Sequence, residues 1–267
     1  MRGIKRILLS MSLIFLVAVS AFIFNNGAYN KAQNTSVSKE SFDLPIYSVD
    51  TKEKNVSITF DINWAENDYL YTILDILDKY NVKGTFFIMG GWVDYSQENV
   101  EKLKKISERG HEIGNHSYKH PMFTKISNEK MISEIQKTDE IIKKYTGKEV
   151  KLFRFPSGDY NEQAVKVINE QEHIPIQWSV DSVDWKEAGA DIEYERVNKG
   201  IKEGSIILFH NNAKYTPDNI ERIIKEYQDK DYKFIPVGEL IYKENYNISE
   251  KGAQFLKNNL KKLKNTY

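Results

Sequence analysis

With 38 Lys and Arg balanced by 38 Asp and Glu over 267 residues, the chain has no net field to gather a polyanion, and its central body holds no basic motif, which excludes nucleic acid as a partner. Cysteine is absent, so disulfides and thiolate metal sites are excluded and stability must come from a buried core. Behind a short leader the length leaves roughly 200 residues, enough for one α/β domain and too few for two.

Arg2, Lys5 and Arg6 precede an eighteen-residue apolar run over 7–24, the pattern of a positively charged n-region followed by an export or membrane-anchor segment. The run is short for spanning a bilayer and long for a cleaved signal. The small-residue sites around Ala21 and Ala28 depart from A-x-A, which favours an uncleaved anchor. Residues 1–24 are thus read as signal anchor or signal peptide and 25–45, polar and without period, as a tether. The body is expected outside the cytoplasm, held to the membrane or secreted to the cell wall.

Along the body, β-branched and aromatic runs alternate with stretches of helical spacing. Strands are expected at 56–60, 85–89, 111–114, 152–155, 174–178, 205–209 and 233–235. Helices are expected at 69–80, 99–108, 129–145, 163–170, 192–202 and 217–229, with Gly147 stopping the third and Thr216-Pro217 capping the last. Seven strands, mostly followed by helices, argue for parallel βαβ units and suit a barrel slightly short of eight repeats, with an open doubly wound sheet as the alternative. The domain is set at 46–241. Residues 242–267 are read as a lysine-rich tail with an amphipathic helix over 249–263, since Phe255, Leu256, Leu260 and Leu263 fall at helical spacing.

Three of the five histidines lie within residues 110–121, and two of them, His116 and His120, are four apart, a spacing that can close on one divalent ion. His111 and His173 are read as structural. Asp61, His116, Arg154, Asp181, Asp184 and His210 all fall at or near C-terminal strand ends, which share one face in a parallel barrel. That set can support metal-assisted hydrolysis. Asp61 would be the base and His210 the acid, with Arg154 orienting Asp61, and Asp181 or Asp184 raising the pKa of His210. Among the tryptophans, Trp64 and Trp92 are the better candidates for stacking on sugar rings.

Five ordered stretches carry a resemblance: Thr59-Phe60-Asp61, His116-Ser117-Tyr118-Lys119-His120, Arg154-Phe155-Pro156-Ser157-Gly158, Asp181-Ser182-Val183-Asp184-Trp185 and Leu208-Phe209-His210. Together they resemble the motifs of polysaccharide deacetylases with a NodB homology domain (carbohydrate esterase family 4), over about residues 56–241. The resemblance implies a single-domain, distorted (β/α)7-type barrel that removes N- or O-acetyl groups from peptidoglycan or a chitin-like glycan, acting as a monomer with zinc, cobalt or another divalent metal. By position it implies Asp61 as general base, His116 and His120 as metal ligands and Arg154 as partner of the base. It implies Asp184 as partner of the acid His210, an oxyanion donor on the backbone near Ser157, and an acetyl pocket walled by Trp185 and Leu208. The family's first motif reads T-F-D-D, its second Asp being the third metal ligand; here Ile62 stands there, in a pattern similar to the subgroup related to the sporulation protein PdaB. Three readings follow: Asn63 or Asp61 supplies an oxygen ligand, water fills the position, or the fold persists without the reaction. The motif-three tyrosine is Ser157.

Overall fold

The computed structural model describes residues 44–257, so the expected leader, nearly all of the tether and the last ten residues lie outside it. In chain order the elements are β1 (Ser48–Val49), β2 (Asn55–Ile62), α1 (Leu70–Lys79), β3 (Thr85–Ile88), α2 (Gly90–Val93), α3 (Gln97–Glu108), β4 (Glu112–Asn115), α4 (Asn128–Thr146), β5 (Leu152–Phe153), α5 (Glu162–Glu170), β6 (Ile174–Pro175), β7 (Val180–Asp181), α6 (Ala190–Gly200), β8 (Ile206–His210), α7 (Thr216–Asp229), β9 (Lys233–Phe234), α8 (Val237–Leu240), β10 (Tyr246–Ile248) and β11 (Ala253–Leu256). The main sheet runs β6-β5-β4-β3-β2-β8-β7, with β9 added at the start of β2. Every pairing in it is parallel. The architecture is the expected distorted (β/α)7 barrel and not the open doubly wound sheet.

Strand β2 organises the layers because its side chains alternate between two faces. Val56, Ile58, Phe60 and Ile62 face the helices and join one large core cluster with Leu70, Leu74 and Leu77 of α1 and Ile220, Ile223 and Ile224 of α7. The Phe60 ring stacks on Phe86 with centroids 4.7 Å apart and lies 6.3 Å from Phe209. Ser57, Thr59 and Asp61 take the other face, in register with Ile206, Leu208 and His210 of β8. The strand end thereby sets an acid beside a histidine.

The barrel is not closed by direct pairing of β6 with β7; the N-terminal segment occupies that seam. Ile46 N–H donates to Pro175 O and Gln177 N–H to Ile46 O, at 2.9 and 2.8 Å, and Val49 N–H donates to Gly204 O at 2.9 Å. Gly204 has φ +75°, and a Cβ there would collide with the Val49 carbonyl, so only glycine serves. At the opposite end from the site, α8 plugs the barrel: Val237 N–H donates to Thr85 Oγ1 and Gly238 N–H to Glu112.

Two sequence expectations are corrected at element scale. In place of a helix from 249, the described part of the tail forms a hairpin of β10 and β11, and β11 pairs in parallel with β1. Gly252 at φ +76° turns the chain against the Tyr47 ring, while Gln254 is buried and bonds Tyr242 through both its amide atoms. Buried Gln254 between partly exposed Ala253 and Phe255 is the two-residue period of a strand, which the leucines further on masked. The compact domain accordingly continues past 241. Thr216 is the second correction: the N-cap of α7 is Tyr215, and the Thr216 hydroxyl is spent on the site. Gly147 does end α4, at φ +70°.

Candidate active site

The base half is built from Thr59, Asp61 and Arg154. Arg154, fully buried just beyond β5, donates from NH1 to Asp61 Oδ1 and to Thr59 Oγ1, both at 2.9 Å, and from NH2 to Gln177 O at 3.1 Å. Its guanidinium lies 4.0 Å from the Phe87 ring centroid. That ring has room because residue 114 is glycine: a Cβ there would come within 2.6 Å of the Phe87 ring. The chain of support therefore runs Gly114, Phe87, Arg154, Asp61. Burial pushes the Asp61 carboxyl up, but the surrounding His116, Arg154 and His210 outweigh it and hold the pKa below its usual value, leaving an ionised carboxylate.

His116 follows β4 directly. Its Nδ1 lies 2.9 Å from Arg154 O; a carbonyl only accepts, so Nδ1 carries the proton and Nε2 keeps its lone pair. That Nε2 is buried without a hydrogen-bond partner, 3.5 Å from Asp61 Oδ2. Burial lowers the pKa to about 4, so the imidazole is neutral at pH 7. His120 sits with its ring centroid 5.0 Å from that of His116, at the end of a turn in which Ser117 and His120 both have positive φ, +66° and +58°. The turn is held from α4, where the buried Glu134 carboxylate accepts from Tyr118 N–H at 3.0 Å and Lys119 N–H at 2.6 Å. Ser117 N–H donates to Asn115 Oδ1, and His120 N–H to Ser117 Oγ.

The acid half faces it. His210 Nδ1 donates to Asp184 Oδ1 at 2.6 Å, its own backbone N–H donates to Asp184 Oδ2, and the Thr216 hydroxyl also donates to Oδ2 at 2.6 Å. Burial opposes the imidazolium, yet the hydrogen bond and charge of Asp184 prevail and the His210 pKa is raised. Asp184, not Asp181, is the partner; Asp181 instead accepts from the Val183 N–H at 2.9 Å within its own loop.

Both halves open into one cavity of about 490 Å³, lined by Asp61, Asn63, His116, His120, Ser157, Trp178, Asp181, Trp185, Leu208, His210 and Asn212. Of the thirteen sequence candidates, Asp181 included, only Arg154, Asp184, Trp64 and Trp92 are not on this wall; the first two stand directly behind it. Trp64 lines a neighbouring hollow. Trp92, at 1 % exposure, packs in the core from α2 and meets the same hollow only from within its wall. His111 and His173 stand apart, His111 accepting from Gly84 N–H and His173 bonded to Asp139.

The residues fit a divalent ion in part. His116 Nε2, orphaned and neutral, has the form of a ligand, and His120 lies beside it on the same wall. Ile62 adds nothing, since it is fully buried in the outer core cluster and does not line the cavity. Asn63 does line it, while its backbone is pinned to Asn211 in both directions. Sequence reading missed Thr59, Phe87, Glu134 and Thr216. Thr216 and Glu134 had no signal, since one lies beside a cap-like proline and the other on a helix a dozen residues past the motif; Thr59 was in view inside the first motif.

Comparison places this geometry among known proteins. Residues 48–174 match the polysaccharide deacetylase family model. The uncharacterised protein YlxY of Bacillus subtilis is 35 % identical over 197 residues, 74 % of this chain and 60 % of YlxY, so the chain spans somewhat less than two thirds of that relative. The peptidoglycan-N-acetylmuramic acid deacetylase PdaA of the same organism is 32 % identical over 213 residues, covering 78 % of this chain and 79 % of PdaA. Among solved structures, BA3943 of Bacillus anthracis, a CE4 family pseudoenzyme, superposes with TM-score 0.69 at 34 % identity over 74 % of this chain and 68 % of its own; a mutant of it has restored enzymatic activity. The chain belongs to the polysaccharide deacetylase family, carbohydrate esterase family 4.

Proposed function

We propose that this protein hydrolyses acetyl groups, N-acetyl in the first instance, from a cell-wall glycan such as peptidoglycan or a chitin-like polymer. The observation that carries the reading is that two finished dyads, Arg154–Asp61 and Asp184–His210, open on one cavity from paired positions of β2 and β8. His116 and His120 would hold a divalent ion, zinc or cobalt, which when bound polarises an acetyl oxygen and acidifies water. Asp61, ionised and aimed by Arg154, takes the proton from the attacking water. His210 turns Nε2 to the cavity, because Nδ1 is committed to Asp184, and donates a proton to the leaving nitrogen. Trp185 and Leu208 supply apolar wall for the acetyl methyl group, and the backbone at Ser157 the donor for the developing oxyanion. The reading carries with it an extracytoplasmic place, with the apolar run 7–24 as membrane tether, and the PdaB-like first motif attaches it to sporulation.

A second reading is favoured by one observation, Ile62. Two histidines fall short of the three protein ligands usual for a catalytic zinc, and a protein so built binds wall glycan, or a sporulation partner, without turning glycan over. Acetate release from N-acetylated peptidoglycan and from chitooligosaccharides, with zinc or cobalt added, separates the two. Release abolished by His116→Ala supports the hydrolase; no release and no bound metal overturn it in favour of the binding protein.

A further inference from the structure

Behind the acid half lies a second buried acid that the reaction described above does not use. Glu193 of α6 is 2 % exposed, and Asn219 of α7 is fully enclosed. Asn219 Nδ2 donates to Glu193 Oε2 at 3.4 Å, while the other oxygen of each group, Glu193 Oε1 and Asn219 Oδ1, is buried with no hydrogen-bond partner. Two orphaned acceptors on one amide–carboxyl pair are costly as they stand. A single proton on the carboxyl removes both orphans, because its O–H then donates to Oδ1 while the amide N–H donates to Oε2.

Helix α7 ties this pair to the site. Thr216 and Asn219, three residues apart, share one face of its first turn; the former holds Asp184 Oδ2 and the latter Glu193. Burial raises the Glu193 pKa, and so do the like charges of Asp184 and Glu187 from the loop after β7; the N–H groups of Ala188 and Gly189 oppose them, and the outcome is about 7. Helix α7 brings no cation to the carboxyl, since Arg222 is turned to Asp191 at 2.8 Å and to the Tyr194 ring. We propose that Glu193 is a titratable positioning residue for the proton donor His210, acting through Asp184. Protonated, it is locked to Asn219 and leaves Asp184 as the one charge behind the histidine. Ionised, it breaks that lock and adds a second negative charge behind Asp184, so His210 keeps its proton to higher pH. The use of this coupling rests on the hydrolase reading, in which His210 gives up that proton.

The test uses the full-length protein in detergent micelles with EDTA, as wild type, as Glu193→Gln and as Glu193→Leu/Asn219→Leu. The double variant replaces the pair by apolar groups and serves if the single one fails to fold. Infrared spectra report the carboxyl proton, and NMR of carbon-13 histidine reports the titration of His210. The expected result is a protonated-carboxyl band in the wild type at about pH 6, lost as pH rises through about 7 and absent from both variants, with the His210 midpoint lower by about 0.5–1 pH unit in the variants. With zinc or cobalt restored, the basic limb of kcat/KM should follow that midpoint. No such band in the wild type, or an unchanged His210 midpoint in a folded variant, overturns the proposal even if acetate is released. The shift without acetate release leaves the coupling standing and fails the hydrolase reading.

Discussion

Asp184 is the residue through which the acid half is most directly tested. On the proposed reading His210 is the proton donor, so activity is expected to be lost as pH rises through its raised pKa. Asp184→Asn removes the charge that raises it, and the basic limb of the kcat/KM profile should move to lower pH with a fall of about 10²-fold at the optimum. Thr216→Val, which deletes only one of three bonds to that carboxylate, should move the limb less. On the other wall, Arg154→Met leaves Asp61 buried without its partner, and urea unfolding should show a loss of about 3–5 kcal/mol. Adding Asp61→Asn should recover part of it, because the second substitution removes the charge the first exposed. The five motif residues Asp61, His116, Arg154, Asp184 and His210 were legible as a set, since each sits at a strand end. Ile62 was legible as a departure but not as to where it points; the alternation of β2 puts it among Ile58 and Phe60.

At the scale of elements, the turn between β4 and α4 is held by contacts that sequence motifs do not display. Two non-glycine residues at positive φ cost energy that Asn115, Ser117 and Glu134 offset by bonding four successive backbone N–H groups of the turn. Glu134→Gln weakens two of those bonds, and hydrogen exchange at the Tyr118 and Lys119 amides should accelerate at least about tenfold with the helix content unchanged. The long helices were readable because their stripes run three turns or more: α1, α3, α4 and α7 appear within two or three residues of expectation. Two-residue strands such as β1, β7 and β9 carry almost no period. β9 was found from its aromatic run, whereas β1 and β7 exist only because a neighbour pairs with them.

Over the whole molecule, buried neutral histidine is one contributor to the response to acid. Burial lowers the pKa of His111 to about 4 from 6.5, so between those values the unfolded chain binds a proton that the native one refuses. Stability is therefore complete above pH 6.5 and falls as pH drops toward 4, by up to roughly 3 kcal/mol for this group. Thermal melts from pH 7 to 4.5 should fall less steeply for His111→Gln than for the wild type. The fold class was legible from alternating strands and helices, while the way the barrel is completed was not, because Ile46 and β1 find their partners about 130 to 205 residues away along the chain. That pairing also fixes an order of events. The seam itself can be latched once residues 175–205 exist, but the second edge of β1 stays unpaired until residues 253 and 254 have been made.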